Sequence, residues 1–276
     1  MRRDRILPGT MLSVVVAMHM GALAQQPDCI KQGESLFAQK NYKETVRVLQ
    51  RCSTDPTSWR LLGLTYFELN YMDDAKEYLR KAIERDPADE TLQAKYADAF
   101  ALNREFSKAV DEFRKLREKF PASMEIKKGL AQALGWSKRY DESIALYREL
   151  VKQEPTDVES RIQIAVLMSW NKRFADAVTE LRAIIQSKPS RKWELDARLK
   201  LAEVISWQKK LDESIREYDA AIAFAPEAVD AYLGKGVVLE WKAEYKEARK
   251  QYEKALQVDS QSTAAKAHLQ QLLWVK

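Results

Sequence analysis

The chain of 276 residues is poor in glycine, histidine and cysteine. Its 8 glycines suit a helical fold with short turns rather than a loop-rich one. None of them builds a phosphate-cradling loop, because Gly234-Lys235-Gly236 lacks the flanking strand such a loop requires. Only 2 histidines occur: His19 falls in an N-terminal apolar stretch, and His268 stands alone near the C-terminus. With one histidine outside that stretch and no free thiol pair, the sequence offers no nucleophile–base arrangement and no metal-ligand spacing. Neither an enzyme nor a cofactor is expected. Charge of one sign is lacking as well. Lys plus Arg total 46 against 41 Asp plus Glu, a net charge of +5 with both signs interspersed, and no basic stripe marks a nucleic-acid partner. No apolar run is long enough to span a bilayer.

The N-terminus reads as a targeting segment. Arg2, Arg3 and Arg5 precede an apolar run from Met11 to Met18, and Ala22-Leu23-Ala24 supplies a small-x-small cleavage pattern. The expectation is a signal peptide over residues 1–24, with Gln25 as the first mature residue and export to a bacterial periplasm. Pro8, Gly9 and His19 interrupt the apolar run, so no membrane span is expected after cleavage. Removing this segment leaves a net charge of +3 and both cysteines, Cys29 and Cys52. An exported chain with two cysteines invites one disulfide.

Pro87, Pro121, Pro155, Pro189 and Pro226 fall at intervals of 34, 34, 34 and 37 residues. A fixed period in this range marks a solenoid of helix–turn–helix units. Ahead of Pro87, the residues Trp59, Leu62, Gly63, Tyr66, Ala75, Leu79 and Ala82 recur in part down the chain, as in Tyr96, Ala97, Phe100, Ala109 and Phe113 before Pro121. This pattern resembles the tetratricopeptide repeat. With Trp59 as position 4, Gly63 and Ala75 are the small residues at positions 8 and 20, where two helices approach closely. Leu79 at position 24 fills the space between hairpins. The resemblance implies an all-α, right-handed superhelical solenoid of about seven helix–turn–helix repeats. These cover residues 26–56, 57–87, 88–121, 122–155, 156–189, 190–226 and 227–260 of an array spanning 25–260. A capping helix is expected over residues 261–276, with Ala265, His268, Leu269, Leu272 and Leu273 on its packed side.

In this register Cys29 is position 4 and Cys52 position 27 of the first repeat, about equally far from its turn. The two lie opposite each other on antiparallel helices, so a disulfide is expected. It would stabilise this weak first unit, which carries Thr45 where alanine is expected, by about 3 kcal/mol.

Two constellations point toward a ligand. Trp136, Trp170, Trp207 and Trp241 all stand at position 13, the end of a first helix. They either pack over the turns or form a ladder for flat apolar ligand faces. Glu125, Glu159, Asp196 and Asp230 all stand at position 2, as an acidic ladder on the concave face or as compensation of the helix dipole. Together these favour a neutral or cationic ligand, namely a protein or peptide on the concave face, or a neutral or amino-sugar polysaccharide. Asp141-Glu142 and Asp212-Glu213 follow the turns and read as dipole partners of the second helices. The Trp-bearing repeats resemble those of bacterial envelope proteins serving exopolysaccharide or cellulose synthesis and export, which implies a periplasmic scaffold. The Lys/Asn clamp of chaperone-binding repeats is missing, with Lys128 alone at position 5.

Overall fold

The computed structural model describes residues 26–274. The expected signal segment, its cleavage after Ala24 and the start at Gln25 lie outside them. Among the described residues there are fifteen α-helices and no strands. Chain contacts divide them into two compact units, one ending at Ser137 and the other beginning at Lys138.

The first unit holds α1 (Gln26–Ala38), α2 (Tyr42–Leu49), α3 (Pro56–Glu68), α4 (Met72–Arg85), α5 (Glu90–Leu102), α6 (Phe106–Lys119) and α7 (Met124–Trp136). The second holds α8 (Tyr140–Gln153), α9 (Val158–Trp170), α10 (Phe174–Gln186), α11 (Arg191–Trp207), α12 (Leu211–Phe224), α13 (Val229–Trp241), α14 (Tyr245–Val258) and α15 (Thr263–Gln271). Most first helices run over positions 1–13 of their repeat. Their starts are fixed by side-chain caps: Asp55, Asp89, Ser123 and Asp157 each accept a hydrogen bond from a first-turn amide. The extra residues of the 37-residue interval lengthen α11 to 17 residues, against 13 in α9 and α13.

Small residues sit where helices meet. Ala75, Ala109, Ala177, Ser214 and Ala248 at position 20 are fully buried, as are Ala97, Ala131, Ala165 and Ala202 at position 8. Gly63 lies against Leu79, and Gly236 against the Tyr252 ring, where an added Cβ would stand 2.9 and 2.4 Å from the neighbouring side chain. Two further glycines, Gly129 and Gly234 at position 6, have another role. Each receives the aromatic ring at position 24 of the preceding repeat, Phe113 and Tyr218 respectively.

The turns are built without glycine. Lys40, Asn70, Arg104, Lys138, Lys172, Lys209 and Ala243, all at position 15, adopt positive φ between 58 and 64°. The Lys172 amide donates to the Ser169 carbonyl at 3.0 Å and the Arg173 amide to Met168 at 2.8 Å. This is the Schellman closure of a helix end.

Each terminal repeat is closed differently. In the first unit a disulfide joins Cys29 to Cys52. Both cysteines pack in a core with Leu49, Leu62, Tyr66 and Leu79, and Thr45 fits position 20 by donating its hydroxyl to the Asn41 carbonyl at 2.9 Å. In the second unit α15 covers α14. The His268 ring stacks on Tyr252 at 4.7 Å, and Glu240 accepts from the Tyr252 hydroxyl and faces His268 Nδ1 at 3.1 Å. Ala265 and Leu272 are buried there, but Leu273 is 65% exposed. The helix tightens to a 3-10 turn at Leu272–Trp274, and this change of pitch carries Leu273 off the packed side expected for it.

Candidate functional site

Each first helix presents one stripe at positions 2, 6, 9 and 13, the i, i+4, i+7, i+11 spacing of a single helical face. In the first unit, α7 shows Glu125, Gly129, Gln132 and Trp136. In the second unit, α9 shows Glu159, Gln163, Val166 and Trp170, α11 shows Asp196, Lys200, Glu203 and Trp207, and α13 shows Asp230, Gly234, Val237 and Trp241. The acidic and tryptophan ladders therefore share a stripe but occupy its opposite ends, roughly 16 Å apart at 1.5 Å per residue. The acids do not set the charge beside the indoles, as a shared groove would require. The turn residues do.

At the turn end, the indoles are partly covered. Trp136 lies 6.2 Å from the Phe106 ring and Trp170 6.3 Å from Tyr140, while Lys209 Nζ stands 5.6 Å over Trp241. Trp136 and Trp207 are half-buried, but Trp170 remains 43% and Trp241 50% exposed. Beside them runs a polar ladder that the sequence did not reveal. Asn103 donates to Asp73, Asn171 to Asp141 and Lys242 to Asp212, each linking position 14 to position 18 of the preceding repeat. Asp141 and Asp212 thus tie successive turns together besides lying at helix starts. The Lys242 ammonium holds Asp212 below the usual carboxylate range.

At the start end, Glu125, Glu159 and Asp230 are exposed and Asp196 is half-buried. Burial pushes Asp196 up, with Lys200 and Lys192 opposing and Glu203 and Glu159 adding to the shift. Tyr218 on α12 lies close by, 94% buried in a cluster with Ala202 of α11 and Val238 of α13. Its ring passes over Gly234, whose added Cβ would stand 2.5 Å from the hydroxyl oxygen. Burial, then Glu203 and Asp230, push this phenol upward. Its oxygen therefore emerges beside carboxylates from two first helices. Tyr147 on α8 is likewise pushed up by burial, Glu159 and Asp157. Tyr218 looks like a filler of the inter-repeat space in the sequence. The available signal was a hydroxyl-bearing ring at position 24 coinciding with acids at position 9 of its own repeat and position 2 of the next.

Among the described residues no group of three or more His, Cys, Asp or Glu is placed to hold a metal ion, and no helix is long and apolar enough to cross a membrane.

A family model described as a tetratricopeptide repeat-like domain matches residues 130–276, and two tetratricopeptide repeat models match residues 56–89 and 95–158. The chain belongs to the tetratricopeptide repeat family. Solved structures of the same fold include a tetratricopeptide repeat protein from Parabacteroides merdae, 13% identical over 91% of this chain and 99% of that one, with a TM-score of 0.70. The C-terminal part of a repeat protein from Cytophaga hutchinsonii is 15% identical over 87% and 99% of the two chains, with a TM-score of 0.60. A chain of the Cut9–Hcn1 hetero-tetramer of the APC/C is 14% identical, at a TM-score of 0.56, over 91% of this chain and 48% of its own length. No curated protein matches the sequence significantly.

Proposed function

We propose that this protein is a non-catalytic scaffold of the bacterial periplasm that holds a protein or peptide partner along the stripe of its first helices, within a cell-envelope or exopolysaccharide assembly. The observation that carries this reading is the stripe itself. Successive first helices repeat one exposed or half-exposed row of acids, polar residues and indoles, while their other faces are consumed by packing. Such a row presents side chains on rigid elements, which lowers the ordering cost of binding. A chain of the same fold is part of the Cut9–Hcn1 hetero-tetramer, the type of use proposed here. Export is read from Arg2, Arg3, Arg5 and the Ala22-Leu23-Ala24 junction. N-terminal sequencing of the mature protein tests it and should begin at Gln25.

The test of the scaffold is site-specific photo-crosslinking in intact cells. A photoreactive residue at Val237, on the stripe, should give a discrete protein adduct, and one at Lys254, on the exposed side of α14, should not. Equal adducts from both positions, or none from Val237, would sink it.

The exposure of Trp170 and Trp241 favours a second reading, in which the turn end stacks on a neutral or amino-sugar polysaccharide. Quenching of tryptophan fluorescence by such a glycan, lost in Trp170→Ala, distinguishes it from the first.

A further inference from the structure

The scaffold reading leaves the chemistry of the partner open, and the start end of the stripe in the second unit narrows it. Two carboxylates come together there: Glu203 on α11 and Asp230 on α13. Only Glu203 is held by a cation, Lys200, at 3.0 Å. Among the described residues Asp230 makes no ion pair.

Among these carboxylates stands the phenol of Tyr218. The residue is 94% buried, yet its hydroxyl has no hydrogen-bond partner among the described residues. No fully buried side-chain oxygen or nitrogen among the described residues lacks a partner, so the Tyr218 oxygen must reach the surface. The equivalent tyrosine of the last repeat shows the alternative. Tyr252 gives its hydroxyl to Glu240 of the same repeat, where Tyr218 makes no such bond to Glu203. A buried ring thus sets an unsatisfied oxygen beside two carboxylates, of which Asp230 is unpaired. Gly234 makes room for the ring itself, because a Cβ there would stand 2.4 Å from it and 2.5 Å from the hydroxyl oxygen.

We propose, building on the scaffold reading, that this notch receives an arginine side chain from a basic segment of the partner polypeptide. A guanidinium carries five donors and no acceptor, in a planar fork. It can give one hydrogen bond to the phenol oxygen while pairing with Asp230. An ammonium matches the charge but not the fork. An anionic segment would meet two carboxylates.

The test uses the mature full-length protein and fluorescein-labelled nonapeptides of alternating serine with arginine, lysine or glutamate, read by fluorescence anisotropy. The arginine peptide should bind more tightly than the lysine peptide, the glutamate peptide should not bind, and added salt should weaken the complex. Tyr218→Phe, which keeps the ring, should cost about tenfold in affinity with an unchanged melting temperature, as for one charge-assisted hydrogen bond. Asp230→Asn should cost about tenfold as well. Wild-type affinity in Tyr218→Phe overturns the notch, as does a glutamate peptide binding as well as the arginine one. Should Tyr218→Phe melt early, Glu203→Gln replaces it, with the same loss expected and undiminished binding counting against the notch. Crosslinking from Val237 without arginine-peptide binding overturns the notch and leaves the scaffold standing. Tyr218-dependent arginine binding with no adduct from Val237 upholds the notch and removes the scaffold.

Discussion

In the first unit Phe113 lies against Gly129, with Asp98 and Glu125 at the neighbouring positions 9 and 2. In the second, Tyr218 lies against Gly234, with Glu203 and Asp230 at the same positions. The two notches share a frame: a glycine opens one first helix so that an aromatic ring from the preceding repeat can pass beneath it. They differ in how the polar rim is satisfied. Phe113 has no hydroxyl to offer, and burial pushes Asp98 up to about 6, with Lys95 opposing and Glu125 adding to the shift. Tyr218 supplies a hydroxyl, and Lys200 holds Glu203. The repeat fixes where a ring and its flanking carboxylates will stand. Single atoms then decide whether the result is a carboxylate that favours its proton or an acceptor site for a cation.

The largest perturbation tests whether the Phe113 notch stands on its own frame. Cys52→Ala removes the staple of the first hairpin, at about 3 kcal/mol. Repeat arrays couple mainly to their neighbours. Hydrogen exchange should therefore show lost protection in α1 and α2, with α6 and α7 retaining theirs. A uniform loss through α7 would mean that the notch depends on distant packing.

Next in size are the two glycines. An alanine Cβ at Gly129 or Gly234 would stand 2.4 Å from the Phe113 or Tyr218 ring. The ring must move, which outweighs alanine's helix preference of about 1 kcal/mol and leaves a net cost of about 2 kcal/mol in each case. Thermal melts of the two variants should fall together. Stability raised by either alanine would show that its ring is loosely held.

The contrast between these glycines and the rest of the fold shows what the sequence made readable. The position-8 and position-20 residues were legible because two helices of one hairpin cannot approach unless both are small, and that demand recurs every repeat. The Cys29–Cys52 bridge followed from the same register. Gly129 and Gly234 were not legible, since their partner lies one repeat earlier and only some repeats carry the ring. The turns were also hidden. Five of their seven positive-φ residues are lysine or arginine, whereas the local signal for that conformation is glycine or asparagine. The tryptophans announced a ladder but not its setting. Ring partners such as Phe106 and Tyr140, and the distance along the helix from indole to acid, are properties of stacked repeats rather than of any one of them.

Asp98 gives a pH-dependent effect of intermediate size. Its carboxyl is raised from 3.8 to about 6 in the fold, so the folded state favours the proton. The sign follows from linkage: this contribution is fully present below the unfolded value and is lost as pH rises through about 6. Asp98→Asn keeps a neutral side chain throughout. At pH 7.5 it should stabilise by about 1 kcal/mol, discounted for the side chain's partial exposure, and at pH 3 it should change almost nothing. Equal melting shifts at both pH values would show that Asp98 is not the group responsible.

The smallest expected effect converts one notch toward the other. Phe113→Tyr adds a hydroxyl to a ring that already lies over Gly129, as Tyr218 lies over Gly234. The new oxygen should emerge where that of Tyr218 does, beside Asp98 and Glu125. A phenol donates to an ionised carboxylate and so favours the charged form. The Asp98 carboxyl should then fall from about 6 toward its ordinary 3.8. Less stability is lost across that interval, so the variant should gain about 0.5 kcal/mol over the parent at pH 7.5 and almost nothing at pH 3. The decisive readout is the carboxyl titration of Asp98 followed by NMR in both proteins. A midpoint that stays near 6 in Phe113→Tyr would mean the hydroxyl emerges away from the carboxylates. The correspondence between the two notches would then hold for their packing and fail for their chemistry.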